Sequence, residues 1–499
     1  MTRRGFLQTG AAAAAAQAPG RPNILFIMAD QFRLDGVAAN GNRLIRTPNL
    51  DRLASQSANF QHACVQSPVC VPSRVSFFTG RYPHSHKNRV NYTPCDPREV
   101  FLQKLLHQAE YRTGTVGKLH YYPPTAAHAR STGWDKVCLD DGVTRTDAYS
   151  DYVTWRRAND PHASVPHNEL APGRNPFRSA LNYEFTRTAW TGLQTREMLR
   201  ELAGGAKPFF LFSSFFSPHG PSVVPPPYDS MYDGVQIPLP RQVTLEEIRK
   251  LPLPLQKLIL RFEPAYDMNR ERLEWLYRSY YGNVSMVDRE IGGILDVLDR
   301  TGEASNTIVL FSSDHGDQLL EHGLLGKNVF FESSVRVPFL VRWPDRIAPA
   351  RPTAMMETVD VVPTLLELCG VPIPGNVQGR SLGALLTGRP YQAREMVFSE
   401  NIVPEVITSN SMEFSFQPGQ GVAGIRHPDA KMVRTARWKM THYPGHGGEL
   451  YDLVNDPAES RNLYSEPALK STVRDLQETI LDWMITADET DQIAPKWLP

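Results

Sequence analysis

Apolar residues in this chain fall into short unbroken runs rather than alternating with polar ones. Residues 24–29 (ILFIMA), 208–216 (PFFLFSSFF) and 307–312 (TIVLFS) are the clearest runs, and residues 113–117 and 339–343 are weaker versions. A strand covered on both faces has no wet side, so such runs predict strands of a largely parallel sheet. Between the runs the period changes. Over about 270–298 apolar positions recur at helical spacing, within LEWLYRSYYGNVSMVDREIGGILDVL. Residues 360–368 predict another helix, with Gly370 as its stop. The fold class that follows is α/β, a large mostly parallel sheet sandwiched by helices.

Residues 218–254 are rich in proline and predict a long irregular loop. Such loops are either binding elements or plain surface insertions. After about Gly388 the texture shifts to short strands and turns, as at 439–443 and 449–453, followed by a helix over 471–484. This divides the chain into a catalytic domain over 19–387 and a smaller C-terminal α+β subdomain over 388–499, with a short antiparallel sheet and a terminal helix.

Composition narrows the function. The chain has 499 residues, 41% hydrophobic, enough for a large core. Lys+Arg and Asp+Glu both total 53, so there is no electrostatic footprint for nucleic acid, and any anion site must be local. No apolar run is long enough to span a membrane. Residues 1–18 pair Arg3-Arg4 with a mild apolar, alanine-rich stretch and a small-residue site at Ala16-Gln17-Ala18. They resemble a bacterial twin-arginine signal, which implies that export machinery as a partner and a periplasmic or secreted protein. The five cysteines, Cys64, Cys70, Cys95, Cys138 and Cys369, are scattered and odd in number, which argues against a disulfide framework or a structural zinc site.

Candidate chemistry follows the strands. In open α/β sheets, ligands bind beyond the carboxyl ends of the strands. The first run exits into Asp30-Gln31, the next into Lys118-Leu119-His120, the third into Pro218-His219-Gly220 and the fourth into Asp314-His315-Gly316-Asp317. A lone Asp after a strand is more often a helix cap than a ligand. Four polar exits together point to one site. Asp30, Gln31 and Asp314 suit a hard cation such as Ca²⁺ or Mg²⁺, whereas His315 also admits Mn²⁺ or Zn²⁺. Lysines and histidines beside a metal suit a sulfuryl or phosphoryl group.

The run Cys70-Val71-Pro72-Ser73-Arg74, continuing to Thr79-Gly80-Arg81, resembles the signature of the formylglycine-dependent sulfatases of the alkaline-phosphatase-like superfamily. PNILFIMADQ, TPNLDRLA, GKLH, SPHGP, SSDHGD, EHGLLGK, RVPFLVRWP and ELYDLVNDPAE extend the resemblance from Asn23 to about Leu463. It implies that Cys70 is oxidised to formylglycine (3-oxoalanine) by a formylglycine-generating enzyme. The hydrated aldehyde then attacks sulfur with one hydroxyl and expels sulfate with the other. It further implies one divalent metal, calcium first and magnesium or manganese otherwise, on Asp30, Gln31, Asp314, His315 and the modified Cys70. Arg74 would hold the formylglycine hydrate, Lys118 and Lys327 would contact sulfate oxygens, His120 would stand beside the diol, and His219 would lie near the ester oxygen. His322 receives no role.

Many members of that family have Asp in place of Gln31 and Asn in place of His315. The pairing seen here resembles a branch that includes phosphonate monoester and phosphodiester hydrolases as well as some sulfatases of small or sugar substrates. Three readings follow: a sulfatase acting on a sulfated sugar or glycan fragment, a phosphonate monoester or phosphodiester hydrolase using the same aldehyde, and a catalytically dead binding protein. Arg437, Lys439, His442 and His446 form a candidate cationic cluster for the sugar, or else a solvated turn.

Overall fold

The computed structural model describes residues 20–91, 93–141, 150–162, 170–171, 173, 175–261, 268–402 and 429–487. The arginine-pair segment over 1–18 lies outside the described residues. An eight-stranded sheet has the order β4-β3-β5-β1-β6-β7-β2-β8. Its strands are β1 (Asn23–Ala29), β2 (Ala58–Cys64), β3 (Arg112–Gly117), β4 (Lys136–Leu139), β5 (Phe209–Phe215), β6 (Thr307–Ser313), β7 (Arg336–Arg342) and β8 (Met356–Glu357). The five strands from β4 to β6 run parallel, and β7 alone opposes both of its neighbours.

The unbroken apolar runs have the cause expected of them. All seven residues of β1, β5 and β6 are buried. Along β1, Ile24, Phe26 and Met28 enter one core while Leu25, Ile27 and Ala29 enter the other. Successive side chains of a strand point to opposite faces, so burial on both faces demands this sequence. The first core contains Val71, Val75, Phe77 and Phe78 of the helix Cys70–Thr79, with Phe78 5.8 Å from Phe26 between ring centroids. The second core is roofed by Pro48–Ser55, Arg187–Leu202 and the long helix Arg270–Arg300.

A second, four-stranded antiparallel sheet has the order β12-β11-β10-β9, with β9 Met396–Ile402, β10 Asp429–Thr435, β11 Trp438–Tyr443 and β12 Gly447–Asp452. Val473, Leu476, Ile480 and Trp483 of the terminal helix Lys470–Ala487 pack on it. The proline-rich stretch is less irregular than expected. It contains the helix Leu245–Arg249, opened by a Thr244–Glu247 capping box, and the start of the helix Leu253–Arg261.

The strand order places the site. β3, β5, β1 and β6 are consecutive and parallel, so their four carboxyl ends open on one edge. Gly117 ends β3 at φ 88°, where a Cβ would lie 2.1 Å from the Ser214 carbonyl oxygen. Only glycine lets Lys118 leave the sheet so close to β5.

Candidate active site

Cys70 is the first residue of a helix whose ten residues are all buried. Its sulfur lies 3.2 Å from His315 Nε2 and 3.1 Å from Lys327 Nζ. Asp30, Cys70, Asp314 and His315 bring one ligand atom each to within 4.8 Å of one another, and all four are buried. Among the described residues, Asp30 Oδ1 is buried without a hydrogen-bond partner. A buried carboxylate oxygen left unsatisfied is costly unless something cationic meets it. His315 Nδ1–H faces the Gly316 carbonyl oxygen at 3.0 Å, which leaves the Nε2 lone pair for the cluster. This donor set fits a divalent metal.

Arg74 ties the cluster together. Its Nε donates to Asp314 Oδ2 at 2.7 Å, and Nη2 lies 3.4 Å from Asp30 Oδ2. Nη1 donates to the Lys118 carbonyl at 2.6 Å and to Ser214 Oγ at 2.9 Å. The guanidinium is fully buried, so its planar fork fixes both acids. Lys118 Nζ reaches Asp30 Oδ2 at 2.5 Å. Lys327 Nζ donates to Gln31 Oε1 at 2.9 Å as well as to Cys70, while Gln31 Nε2 donates to Asp317 Oδ2 at 2.5 Å. These two bonds fix which end of the Gln31 amide faces the pocket.

The electrostatics are those of an anion site. Burial pushes the Asp30 carboxyl up, but Lys118, His219, Lys327 and Arg74 outweigh it and hold its pKa well below the usual range. Burial and Asp30 raise the Cys70 thiol, yet Lys327, Lys118 and a hydrogen bond from His219 bring it below the ordinary thiol value. Burial, with Lys118 and Arg74 behind it, drives His120 well below the usual imidazole value and keeps the ring neutral. His219 Nδ1 faces the Gly220 carbonyl at 2.8 Å, so Nε2 turns to the pocket.

All the sequence candidates for catalysis and metal binding therefore meet at one edge of the sheet. Four supporting residues were given no role from sequence. Ser73 Oγ donates to the Asp314 carbonyl at 2.6 Å, Ser214 and Asp317 anchor Arg74 and Gln31, and Asp141 Oδ1 accepts the backbone N–H groups of Leu119 and His120, each at 2.8 Å. Asp317 closes the DHGD run and was the most visible of them. His322 stacks on Phe331 at 3.8 Å between ring centroids. The C-terminal cationic cluster dissolves. Lys439 is 1% exposed and pairs with Glu332 at 3.4 Å and with Glu459, Arg437 pairs with Asp452 at 2.9 Å, and His442 contacts Gln477 at 3.4 Å. Buried carboxylates claim the charge that β11 offered to a ligand.

Known proteins resemble this chain over most of its length. The sulfatase family model matches residues 22–371. An arylsulfatase of Clostridium perfringens is 30% identical over 488 residues, covering 92% of this chain and 94% of its own. An N-acetylglucosamine-6-O-sulfatase of Bacteroides thetaiotaomicron is 26% identical, covering 92% and 86%. Among solved structures, a phosphonate monoester hydrolase from Silicibacter pomeroyi superposes with a TM-score of 0.80 at 24% identity, covering 94% of this chain and 96% of its own, a likeness of fold. With a family match over most of its length and a buried, cation-lined cysteine in place, this chain belongs to the sulfatase family and is an enzyme that hydrolyses sulfate esters.

Proposed function

We propose that the enzyme releases inorganic sulfate from a sulfated sugar or glycan fragment, with Cys70 converted to formylglycine and one divalent metal held by Asp30, Gln31, Asp314, His315 and the modified residue 70. The observation that carries this reading is the Cys70 sulfur between Lys327 Nζ at 3.1 Å and His315 Nε2 at 3.2 Å. When present, the aldehyde and the metal supply a nucleophile and Lewis-acid charge neutralisation. The remaining tasks fall to this chain's own side chains. Lys118 and Lys327 neutralise charge on the sulfate oxygens that do not react. His219 turns Nε2 toward the ester oxygen. It can hand the leaving alcohol a proton there only while the ring carries both protons, because Nδ1–H is committed to the Gly220 carbonyl. His120, kept neutral, accepts a proton beside residue 70. Arg74 keeps Asp30 and Asp314 in place. The sugar reading is supported by the Bacteroides relative, an N-acetylglucosamine-6-O-sulfatase. The Arg3-Arg4 leader supports twin-arginine export to the periplasm or beyond. Among the described residues, no helix is long and apolar enough to cross a membrane.

One observation favours a second reading. Gln31 and His315 put a neutral amide and an imidazole where acid and amide are usual in the family, and the pocket loses a negative charge. A phosphonate monoester or phosphodiester hydrolase would use the same groups.

The deciding measurement compares kcat/KM for an aryl sulfate and the matching aryl phosphonate monoester, on protein matured in a host that forms formylglycine. The sulfate is expected to be the better substrate, and Cys70→Ala is expected to lose at least about a thousandfold on it. A phosphonate preference would hand the site to the second reading. Undiminished hydrolysis by Cys70→Ala would remove the formylglycine mechanism altogether.

A further inference from the structure

Phe216 follows β5 and carries two cations on its ring. Lys118 Nζ stands 4.8 Å from the ring centroid, and the Arg187 guanidinium carbon stands 5.3 Å from it. Lys118 belongs to the sulfate cradle, and Arg187 shares the Phe216 ring with it. Arg187 opens the helix Arg187–Leu202, and that end of the helix is tied to the His219 loop by a Thr188–Ser217 hydroxyl hydrogen bond of 2.8 Å. The guanidinium also lies 5.4 Å from the Tyr152 ring centroid. Two aromatic rings thus steady it.

The donors of Arg187 are not used up. Its side chain is 12% exposed, and its carboxylate neighbour Asp140 places Oδ2 3.3 Å from Nε. The other Asp140 oxygen accepts from Ser150 Oγ at 2.8 Å. Among the described residues, Nε and Nη1 are buried and complete no hydrogen bond. A buried guanidinium ordinarily spends its fork on oxygen acceptors, and buried donors left unspent are rare. Here they lie one aromatic ring away from Lys118.

We propose that Arg187 binds a second anionic group of the substrate, a carboxylate or a further sulfate on the same sugar, while the sulfate to be cleaved sits at Lys118 and Lys327. This rests on the sulfate-ester reading above and deepens it. A monoanionic ester leaves the fork unspent, whereas a dianionic one fills it, so Arg187 selects between the two classes.

The test separates binding from turnover. Cys70→Ala protein is titrated by calorimetry with a monosulfated monosaccharide, with the same sugar carrying a second sulfate, and with a monosulfated uronic acid. At least one dianion is expected to bind about tenfold or more tighter than the monoanion, and adding Arg187→Gln is expected to erase that ratio. The two dianions tell a sulfate from a carboxylate as the second group. The matured enzyme should show the same ratio in KM. If mono- and dianions bind alike, or if Arg187→Gln weakens both equally and leaves the ratio intact, Arg187 merely props Phe216 and the proposal falls. If the matured wild-type enzyme hydrolyses no sulfate ester, the sulfate-ester reading falls instead, and the titration still reports on Arg187.

Discussion

Asp141 is buried and takes the N–H groups of Leu119 and His120 through one oxygen, each at 2.8 Å. His120 sits at φ 59°, a left-handed conformation that a non-glycine residue holds only when its surroundings enforce it. Asp141 supplies that enforcement and so aims His120 and the preceding Lys118 without touching substrate. Burial raises its own carboxyl to about 6. Asp141→Ala leaves two buried N–H groups without an acceptor, a cost of roughly 1–3 kcal/mol each. The expected outcome is a fall in kcat by about ten- to a hundredfold, because a small displacement of catalytic groups costs that much. Asp141→Asn keeps an oxygen acceptor and should recover most of the loss. Steady-state kinetics on the pair checks this, and equal defects in both variants would mean that the charge, rather than the acceptor, matters.

The pairing of two helices sets a pH dependence. Thr47 does not cap the helix Pro48–Ser55 with its side chain. Asp288, from the long helix Arg270–Arg300, does so instead. Its Oδ1 accepts from the Leu50 N–H at 2.7 Å, and its Oδ2 accepts from Asn49 Nδ2 at 2.9 Å. Burial outweighs these bonds and raises the Asp288 carboxyl from 3.8 to about 6. A folded-state pKa above the unfolded one contributes stability that is full below the unfolded value and is lost as pH rises through the folded one. The Asp288 contribution is therefore expected to fade between about pH 4 and 6, by on the order of 3 kcal/mol. Denaturant midpoints measured across that window should fall as pH rises in the wild type and fall less in Asp288→Asn. A variant that keeps the wild-type slope would assign the effect to other carboxyls.

For the molecule as a whole, the metal cluster joins segments far apart in the chain. Asp30 leaves β1, Cys70 opens a helix on one face of the sheet, and Asp314 and His315 leave β6. An ion held there binds the folded chain and not the unfolded one, so it should stabilise by mass action, by about 2.7 kcal/mol at a hundred times its Kd. Chelator-treated protein is expected to melt lower and to regain its Tm on titration with calcium. A Tm indifferent to calcium, magnesium and manganese alike would argue against a divalent site.

Much of this was legible in the chain itself. Strands buried on both faces are apolar at most positions, so β1, β5 and β6 announced themselves, and the polar residues beyond their ends marked the catalytic edge. The strand β2, ANFQHAC, and the helix Arg187–Leu202 did not, because their polar residues meet neighbours that no local period reveals. The sequence by itself determined the central strands of the sheet, the edge where the site lies and, through the resemblance of the CVPSR run, the proposed reacting residue. Only the tertiary structure decided that Lys327 meets a sulfur 257 positions away, that Asp141 props His120, that Lys439 is claimed by buried acids and that Arg187 keeps unspent donors. The physical reason is one of range: periodicity records which face of an element is dry, whereas a side chain's partners depend on what the packed fold brings within hydrogen-bond distance.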